Sequence, residues 1–300
     1  MKKKIYLYLS GGLGNQLFQY FAAKNLAIKN KAQLIIDPFS GFFTDFRHKR
    51  IIQLNKFNIQ NVIYKNLFYF FYLFRFLKKI TLSKKLFYNF FFFSIIDEFY
   101  SFKKYRKSID KFKFNNKLFM LGLYQSEKYF IENKSNIIKD VIPKFSKTKI
   151  FLKEDKNIST NNSIAICVRL HESLPDKLKY TAGGIVGYDF YKKALKLILK
   201  RIKKPNFFFF STRTEYITDL LIKVNKFNGF SYKIITPQTG FLDEVDTLWL
   251  LSRFKNLVIS NSTFYWWGAY FSKINYYNQF VITTNRFPNY DTNLKNWIVL

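Results

Sequence analysis

The sequence predicts an α/β protein built on parallel sheets with helices on their faces, and three observations carry that prediction. From residue 160 onward, short β-prone apolar runs alternate regularly with helix-like stretches. At the other end, an apolar run, a glycine-rich turn, a helical stretch and a second apolar run follow one another as the start of a βαβ unit. The 300 residues are 48% hydrophobic and 21% aromatic, which is enough to bury cores in two domains and too apolar for a disordered chain.

The first strand is read at 4–9. "MKKKIYLYLSGG" has the charged start of a signal peptide, but its apolar run is five residues long where ~7 to 15 are needed, so it is more simply a strand. "SGGLGNQ" (10–16) follows it, and a helix is expected from about 16 to 29, then a strand at 33–37 ("QLIID"). The glycine segment is not G-x-G-x-x-G and lacks the Lys-Ser/Thr of a phosphate-binding loop. What remains is a tight turn, including Gly14, that delivers the amides of Asn15 and Gln16 to the carboxyl edge of the strand. A plain helix cap at Asn15 is the alternative.

The most apolar region, 66–100, is broken by Arg75, Lys78, Lys79, Lys84 and Lys85 before any run reaches the ~18 residues of a membrane span. Two readings stay open for it. Basic residues interleaved with Phe suit the inner face of an anionic membrane, and two ordinary helices packing on their own domain suit the same pattern. The polar stretch 153–163 ("KEDKNISTNNS") marks the boundary between an N-terminal domain with a helical insertion, 1–157, and a C-terminal domain, 158–300.

In the second half, strands are expected at 164–169, 206–211, 232–236, 257–260 and 279–283, with a clear helix at 188–202 carrying Tyr191, Leu195, Ile198 and Ile202 at helical spacing. Ligands of open parallel sheets bind beyond the carboxyl ends of the strands. The residues there are Arg169, Ser211 with Thr212, Thr236, and Asn261 with Ser262 and Thr263. One cation and several small hydroxyls suit a phosphate-bearing ligand, and helix capping is the competing use of the hydroxyls. "TRTE" (212–215) fits a capping box, which makes Thr212 a cap. At "NSTFYWWGAYF" three consecutive hydrogen-bonding residues exceed what one cap requires, and Phe264, Trp266, Trp267 and Tyr270 give the helix a bulky packing face.

"VRLHES" (168–173) places Arg169 at a strand end, followed by His171 and Glu172. The arginine can neutralise a leaving diphosphate, and Glu172 or His171 can take a proton from an acceptor hydroxyl, with Asp176 nearby. A surface salt bridge between Arg169 and Glu172 is the plainer alternative. One cysteine and two histidines exclude an intramolecular disulfide and a Cys/His zinc site, and the absence of Asp-x-Asp argues against a metal-bridged nucleotide-sugar site. The net charge of +31 points to a polyanionic partner, although an AT-biased coding sequence would produce the same excess of Lys with Phe, Asn, Ile and Tyr.

Five motifs, "GGLGNQLFQYFAAKNLA" (11–27), the arginine strand at 164–169, "GYDFYKKAL" (187–195), "FFFSTRTEY" (208–216) and "VISNSTFYWWGAYFS" (258–272), resemble in order and spacing the α-1,2-fucosyltransferases of glycosyltransferase family 11. The resemblance implies a GT-B type fold, two Rossmann-like domains facing a cleft, with GDP-fucose on the C-terminal domain and the acceptor side on the N-terminal one. It implies inverting transfer of L-fucose to a galactose 2-hydroxyl of a glycan, commonly a bacterial lipopolysaccharide or capsule repeat unit, with no cofactor and no metal. Carried over by position, Arg169 matches the arginine that meets the donor diphosphate, Asn15 and Gly14 match the glycine loop, and Asn261, Ser262 and Thr263 match the Asn-Ser-Thr motif. Ser211 joins them as a donor-side residue. Where the family reads Arg-Arg-Gly-Asp-Tyr, this chain reads Arg169-Leu170-His171-Glu172-Ser173, and Thr212 and Arg213 replace an acidic pair. A different donor or acceptor sugar is therefore the first alternative. A nonenzymatic basic protein binding nucleic acid or a membrane surface is the second, and no nucleic-acid motif supports it. The expected location is cytoplasmic, with peripheral attachment to the inner membrane face as the open question.

Overall fold

The computed structural model describes residues 2–300 apart from 44, 47–48, 82–83, 143–147, 159–160, 170–183 and 228, and the side chain of Tyr100. It divides into two compact units, Met1–Phe145 with Asn289–Thr292, and Ser146–Pro288 with Asn293–Leu300. The division falls before the helix at Lys149–Lys156 and not after it, as the polar composition of 153–163 indicates, because its acidic residues are spent inside the second unit. Glu154 pairs with Lys233 at 2.7 Å and Asp155 with Arg253 at 2.8 Å. The short segment Asn289–Thr292 belongs to the first unit through buried bonds: Asn289 Nδ2 donates to the Phe102 carbonyl at 2.6 Å and Thr292 Oγ1 to the Gln125 carbonyl at 2.8 Å.

In the first unit the elements run β1 (Lys4–Tyr8), α1 (Leu13–Lys29), β2 (Gln33–Asp37), α2 (Ser40–Phe43), β3 (Val62–Tyr64), α3 (Phe68–Ile80), β4 (Phe87–Asn89), β5 (Ser94–Asp97), α4 (Lys107–Asp110), β6 (Lys117–Leu121) and α5 (Lys134–Ile138). The sheet order is β3-β2-β1-β6-β5-β4, parallel except for the β4–β5 pair. Strand order reverses between β1 and β6, so the glycine turn after β1 sits at a topological switch point. Helix α1 is apolar nearly all round and is accordingly buried nearly all round.

Region 66–100 is one helix and a β-hairpin, not two helices. The Phe-rich run after Lys85 has no helical period of its own, and its aromatic residues pair as strands with Phe90–Phe93 at the turn. Helix α3 packs its inner face on the sheet, where Phe70 stacks on Phe119 with ring centroids 3.8 Å apart. Its opposite face is exposed.

The second unit contains α6 (Lys149–Lys156), β7 (Ser163–Cys167), α7 (Tyr188–Arg201), β8 (Asn206–Phe210), α8 (Thr214–Lys223), β9 (Tyr232–Ile235), α9 (Glu244–Leu251), β10 (Asn256–Ile259), α10 (Thr263–Asn275), β11 (Phe280–Thr283) and β12 (Ile298–Val299). All pairings are parallel and the order is β9-β8-β7-β10-β11-β12, the 3-2-1-4-5-6 order of a Rossmann sheet. Both faces of the sheet are covered, which is why "NFFFF" can be four buried phenylalanines in a row: Phe207 and Phe209 face the cluster with Tyr191, Ile217 and Leu220, and Phe208 and Phe210 contact Phe254.

Candidate functional site

The second sheet brings the predicted strand-end residues to one edge. Cys167 pairs with Phe210 on one side and with Ile259 on the other, so the three central strands end level. One step further, Ser211 and Ser260 flank Val168, and Arg169 and Asn261 come next, on strands spaced ~4.8 Å apart. This edge is the switch point between β7 and β10, where a parallel sheet opens a crevice.

Polar groups at this edge are held ready without being consumed. Asn261 Nδ2 donates to the Gly184 carbonyl at 2.6 Å, while Asn261 Oδ1 and the Ser211 hydroxyl are buried and have no hydrogen-bond partner among the described residues. Unsatisfied buried polar atoms are costly and rare, and two at the mouth of one crevice point to a ligand that satisfies them. Ser262 is the N-cap residue of α10, yet its side chain makes no capping bond, so its hydroxyl and the first N–H groups of this long helix remain available to an anion.

Two buried phenols, missed at the sequence level, fix the strand ends. Tyr265 on α10 donates toward the carbonyls of Val168 and Phe210 at 3.2 and 3.3 Å. Tyr191 on α7 donates to the Cys167 carbonyl at 3.2 Å, and its oxygen also meets the Arg169 backbone. Burial raises both phenols well above their ordinary range, so each stays a neutral donor. Their signal in the sequence is present but ambiguous, since a Tyr at helical spacing reads as core. The Cys167 thiol is also pushed up by complete burial, which removes it as a nucleophile.

In the first unit, the glycine turn resolves into separate jobs. Helix α1 starts at Leu13 with Gly12 as N-cap, so Asn15 lies in the first turn and is not the cap, and Gly14 is buried within it. Gly11 is left-handed at φ +79°, and a Cβ there would meet Asn15 Nδ2 at 2.9 Å. Gln16 is fully buried and spent on structure: Nε2 donates to the Gly11 and Ile51 carbonyls at 2.9 Å each, and Oε1 accepts from Gln53 N at 2.8 Å. The expectation that both amides meet a ligand is corrected for Gln16. Asn15 is half-buried, with Oδ1 held by Gln125 Nε2 at 3.0 Å across the switch point, a pairing 110 residues apart that the sequence does not announce.

Glu98 stands at the carboxyl end of β5 on the same sheet edge. It is fully buried, and burial pushes its carboxyl up to about 7 although the backbone N–H groups of Leu123 and Tyr124 donate to it at 2.8 and 3.3 Å. Nearby, a cavity of about 290 Å³ is lined by Tyr8, Ser40, Phe68, Phe71, Tyr72, Arg75, Phe76 and Lys79.

Thr212 is not a cap. The N-cap of α8 is Arg213, and the first helical N–H, at Thr214, bonds Gln238 Oε1 at 3.1 Å, a distant partner doing the work assigned to the local box. His171, Glu172 and Asp176 lie outside the described residues. Among the described residues no three His, Cys, Asp or Glu side chains gather as a metal site, and no helix is long and apolar enough to cross a membrane.

The family model for glycosyl transferase family 11 matches residues 4–300, almost the entire chain. The chain belongs to glycosyltransferase family 11. This family 11 glycosyltransferase is 28% identical over 267 residues to an alpha-1,2-colitosyltransferase of Escherichia coli, covering 87% of this chain and 85% of that protein. It is 25% identical over 288 residues to the O-antigen biosynthesis glycosyltransferase WbnK of Escherichia coli, with 89% of each covered. Its fold is similar to that of an Arabidopsis thaliana FUT1 mutant in complex with GDP, with a TM-score of 0.52 and 11% identity over 89% of this chain and 68% of that one. The two-sheet α/β architecture of GT-B fucosyltransferases is thus the architecture of this family 11 chain.

Proposed function

We propose that this glycosyltransferase moves L-fucose from GDP-β-L-fucose to a galactose 2-hydroxyl of a bacterial surface glycan, with inversion and without a metal. The observation that carries the reading is the carboxyl edge of the second sheet, where Arg169, two buried unpartnered polar atoms and an uncapped helix N-terminus converge. Arg169 with Ser262 and Thr263 meets the donor diphosphate, and Asn261 and Ser211 complete the donor side. Within the first unit, Asn15 is held by Gln125 at the switch point of that unit's own sheet.

In the reaction the acceptor oxygen bonds the anomeric carbon from the face opposite the diphosphate, and the anomeric C–O bond breaks with its electron pair leaving on GDP. The acceptor proton passes to Glu172, with His171 as the alternative base. Cationic and N–H groups aimed at the leaving diphosphate supply much of the acceleration, one such donor being worth ~10²- to 10³-fold. The relative that is a colitosyltransferase, together with the Leu170-His171-Glu172 departure, supports a second reading in which colitose replaces fucose on the donor.

Incubation with GDP-fucose and GDP-colitose in turn, over a panel of terminal β-galactosides, separates these readings. A product whose NMR spectrum shows an α-linkage at galactose O2 supports the proposal, and the preferred donor selects between the two sugars. Binding of GDP without transfer from either donor to any galactoside counts against galactose as acceptor.

A further inference from the structure

Helix α3 has two apolar faces. Phe70, Phe71 and Phe74 pack inward on Phe119 and Tyr88. Tyr69, Tyr72, Leu73, Phe76, Leu77 and Ile80 recur at i, i+3, i+4, i+7, i+8 and i+11 on the outer side, a continuous stripe whose exposure runs from 49% at Phe76 and Leu77 to 87% at Tyr69. A second apolar projection stands beside it. Phe90, Phe91 and Phe92 at the β4–β5 tip are 51%, 90% and 68% exposed, and the Phe93 ring ties the tip to the inner face of α3 by contacting Phe70 and Phe90. Single exposed apolar side chains are normal, but a stripe of six on one helix with three more on the adjoining hairpin marks an interaction surface.

The charge around this surface identifies its partner. Between Asp45 and Asp97 the chain has no Asp or Glu at all, while Lys and Arg occur ten times. Asp97 itself is buried and paired with Lys78. Arg75 and Lys79 flank the stripe along one side, and the exposed Lys84 and Lys85 follow its end. Arg75, Lys79, Tyr72 and Phe76 also line the 290 Å³ cavity, so a pocket with two cations opens along the same flank. Exposed rings and leucines beside lysines and arginines, with no Asp or Glu in the sequence from 46 to 96, match the boundary between acyl chains and anionic headgroups. At 13 residues the helix is ~20 Å long, too short to cross a bilayer and suited to lying on one.

We propose that α3 and the β4–β5 tip form a docking surface for an anionic lipid bilayer. The stripe and the phenylalanine tip enter the headgroup region, and Arg75, Lys79, Lys84 and Lys85 meet lipid phosphates.

The test is co-sedimentation of the full chain with vesicles of phosphatidylethanolamine and phosphatidylglycerol, and with vesicles of phosphatidylcholine alone. The decisive variant is Leu73→Ser with Leu77→Ser and Ile80→Ser, which leaves the charge of +31 untouched. Tyr69→Ser with Phe91→Ser is its companion, because those side chains are 87% and 90% exposed and the fold does not lean on them. The expected results are binding to the anionic vesicles, weakening as salt rises, and a loss of at least ~10-fold in both variants. Serine variants that bind as tightly as the unchanged protein would show that charge alone holds it and overturn the proposal. So would absence of binding by the unchanged protein, or a concentration-dependent dimer that the serine variants dissolve, which would make the face a contact between two copies.

Discussion

Glu98 makes the stability of the first unit depend on pH in a direction opposite to that of most carboxylates. Its carboxyl is pushed by burial from an ordinary value of 4.5 to about 7. The folded state therefore keeps this proton over a range in which the unfolded chain has released it. Stability from this group is fully present below the unfolded value and is lost as pH rises through about 7. Integrating the two titrations between pH 5 and pH 8 gives a loss of about 2.5 kcal/mol, each tenfold change in proton affinity being worth about 1.4 kcal/mol. Asp97 beside it is also raised by burial, against the opposing pull of Lys78, and adds to the loss in the same sense. The perturbation is Glu98→Gln, which keeps an oxygen for the N–H groups of Leu123 and Tyr124 and removes the proton. All four tryptophans lie in the second unit, so urea unfolding followed by circular dichroism, alongside tryptophan fluorescence, isolates the first. The unchanged protein should lose stability in the dichroism transition from pH 5 to pH 8, and Glu98→Gln should remove most of that loss. Equal pH dependence in the two proteins, or stability rising with pH, would refute the reasoning.

Gln16→Ala should destabilise the chain by about 2–4 kcal/mol in urea unfolding, because three part-buried hydrogen bonds of a fully buried side chain are lost at roughly 1 kcal/mol each. Asn15→Ala should cost under about 1 kcal/mol in the same assay, since one half-buried bond is lost, and its larger effect should fall on turnover. Tyr265→Phe keeps the ring and removes the hydroxyl shared by Val168 and Phe210. It should lower stability by about 1 kcal/mol and reduce kcat more than it raises KM, as expected of a positioning residue; unchanged kcat would make its role structural only.

Much of the framework is legible in the sequence because its physics is local. The strand at Gln33–Asp37 and the helix from Tyr188 follow directly from apolar periodicity, and Tyr191, Leu195, Ile198 and Ile202 are all buried as their spacing requires. The strand ends follow, and with them the shared edge of Arg169, Ser211 and Asn261. Two of the failures lie where a distant partner outweighs the local pattern. Thr212 fits a capping box, but Gln238 satisfies that helix terminus from 24 positions beyond Thr214. Gln16 and Asn15 are adjacent amides of the same chemistry, and only their remote partners, Ile51 and Gln53 for one and Gln125 for the other, separate scaffold from candidate site. In the Phe-rich insertion, a run of identical apolar residues carries no period, so helix and hairpin could not be told apart.

In the proposed mechanism, binding of the donor diphosphate at the β7–β10 switch point depends most directly on Arg169. Calorimetric titration of GDP into the unchanged protein and into Arg169→Ala, paired with transfer from the preferred GDP-sugar, examines it in one experiment. Weaker GDP binding and a loss of ~10²- to 10³-fold in transfer, with folding intact by circular dichroism, are the expected results. GDP affinity and transfer both within a few-fold of the unchanged protein would contradict the assignment.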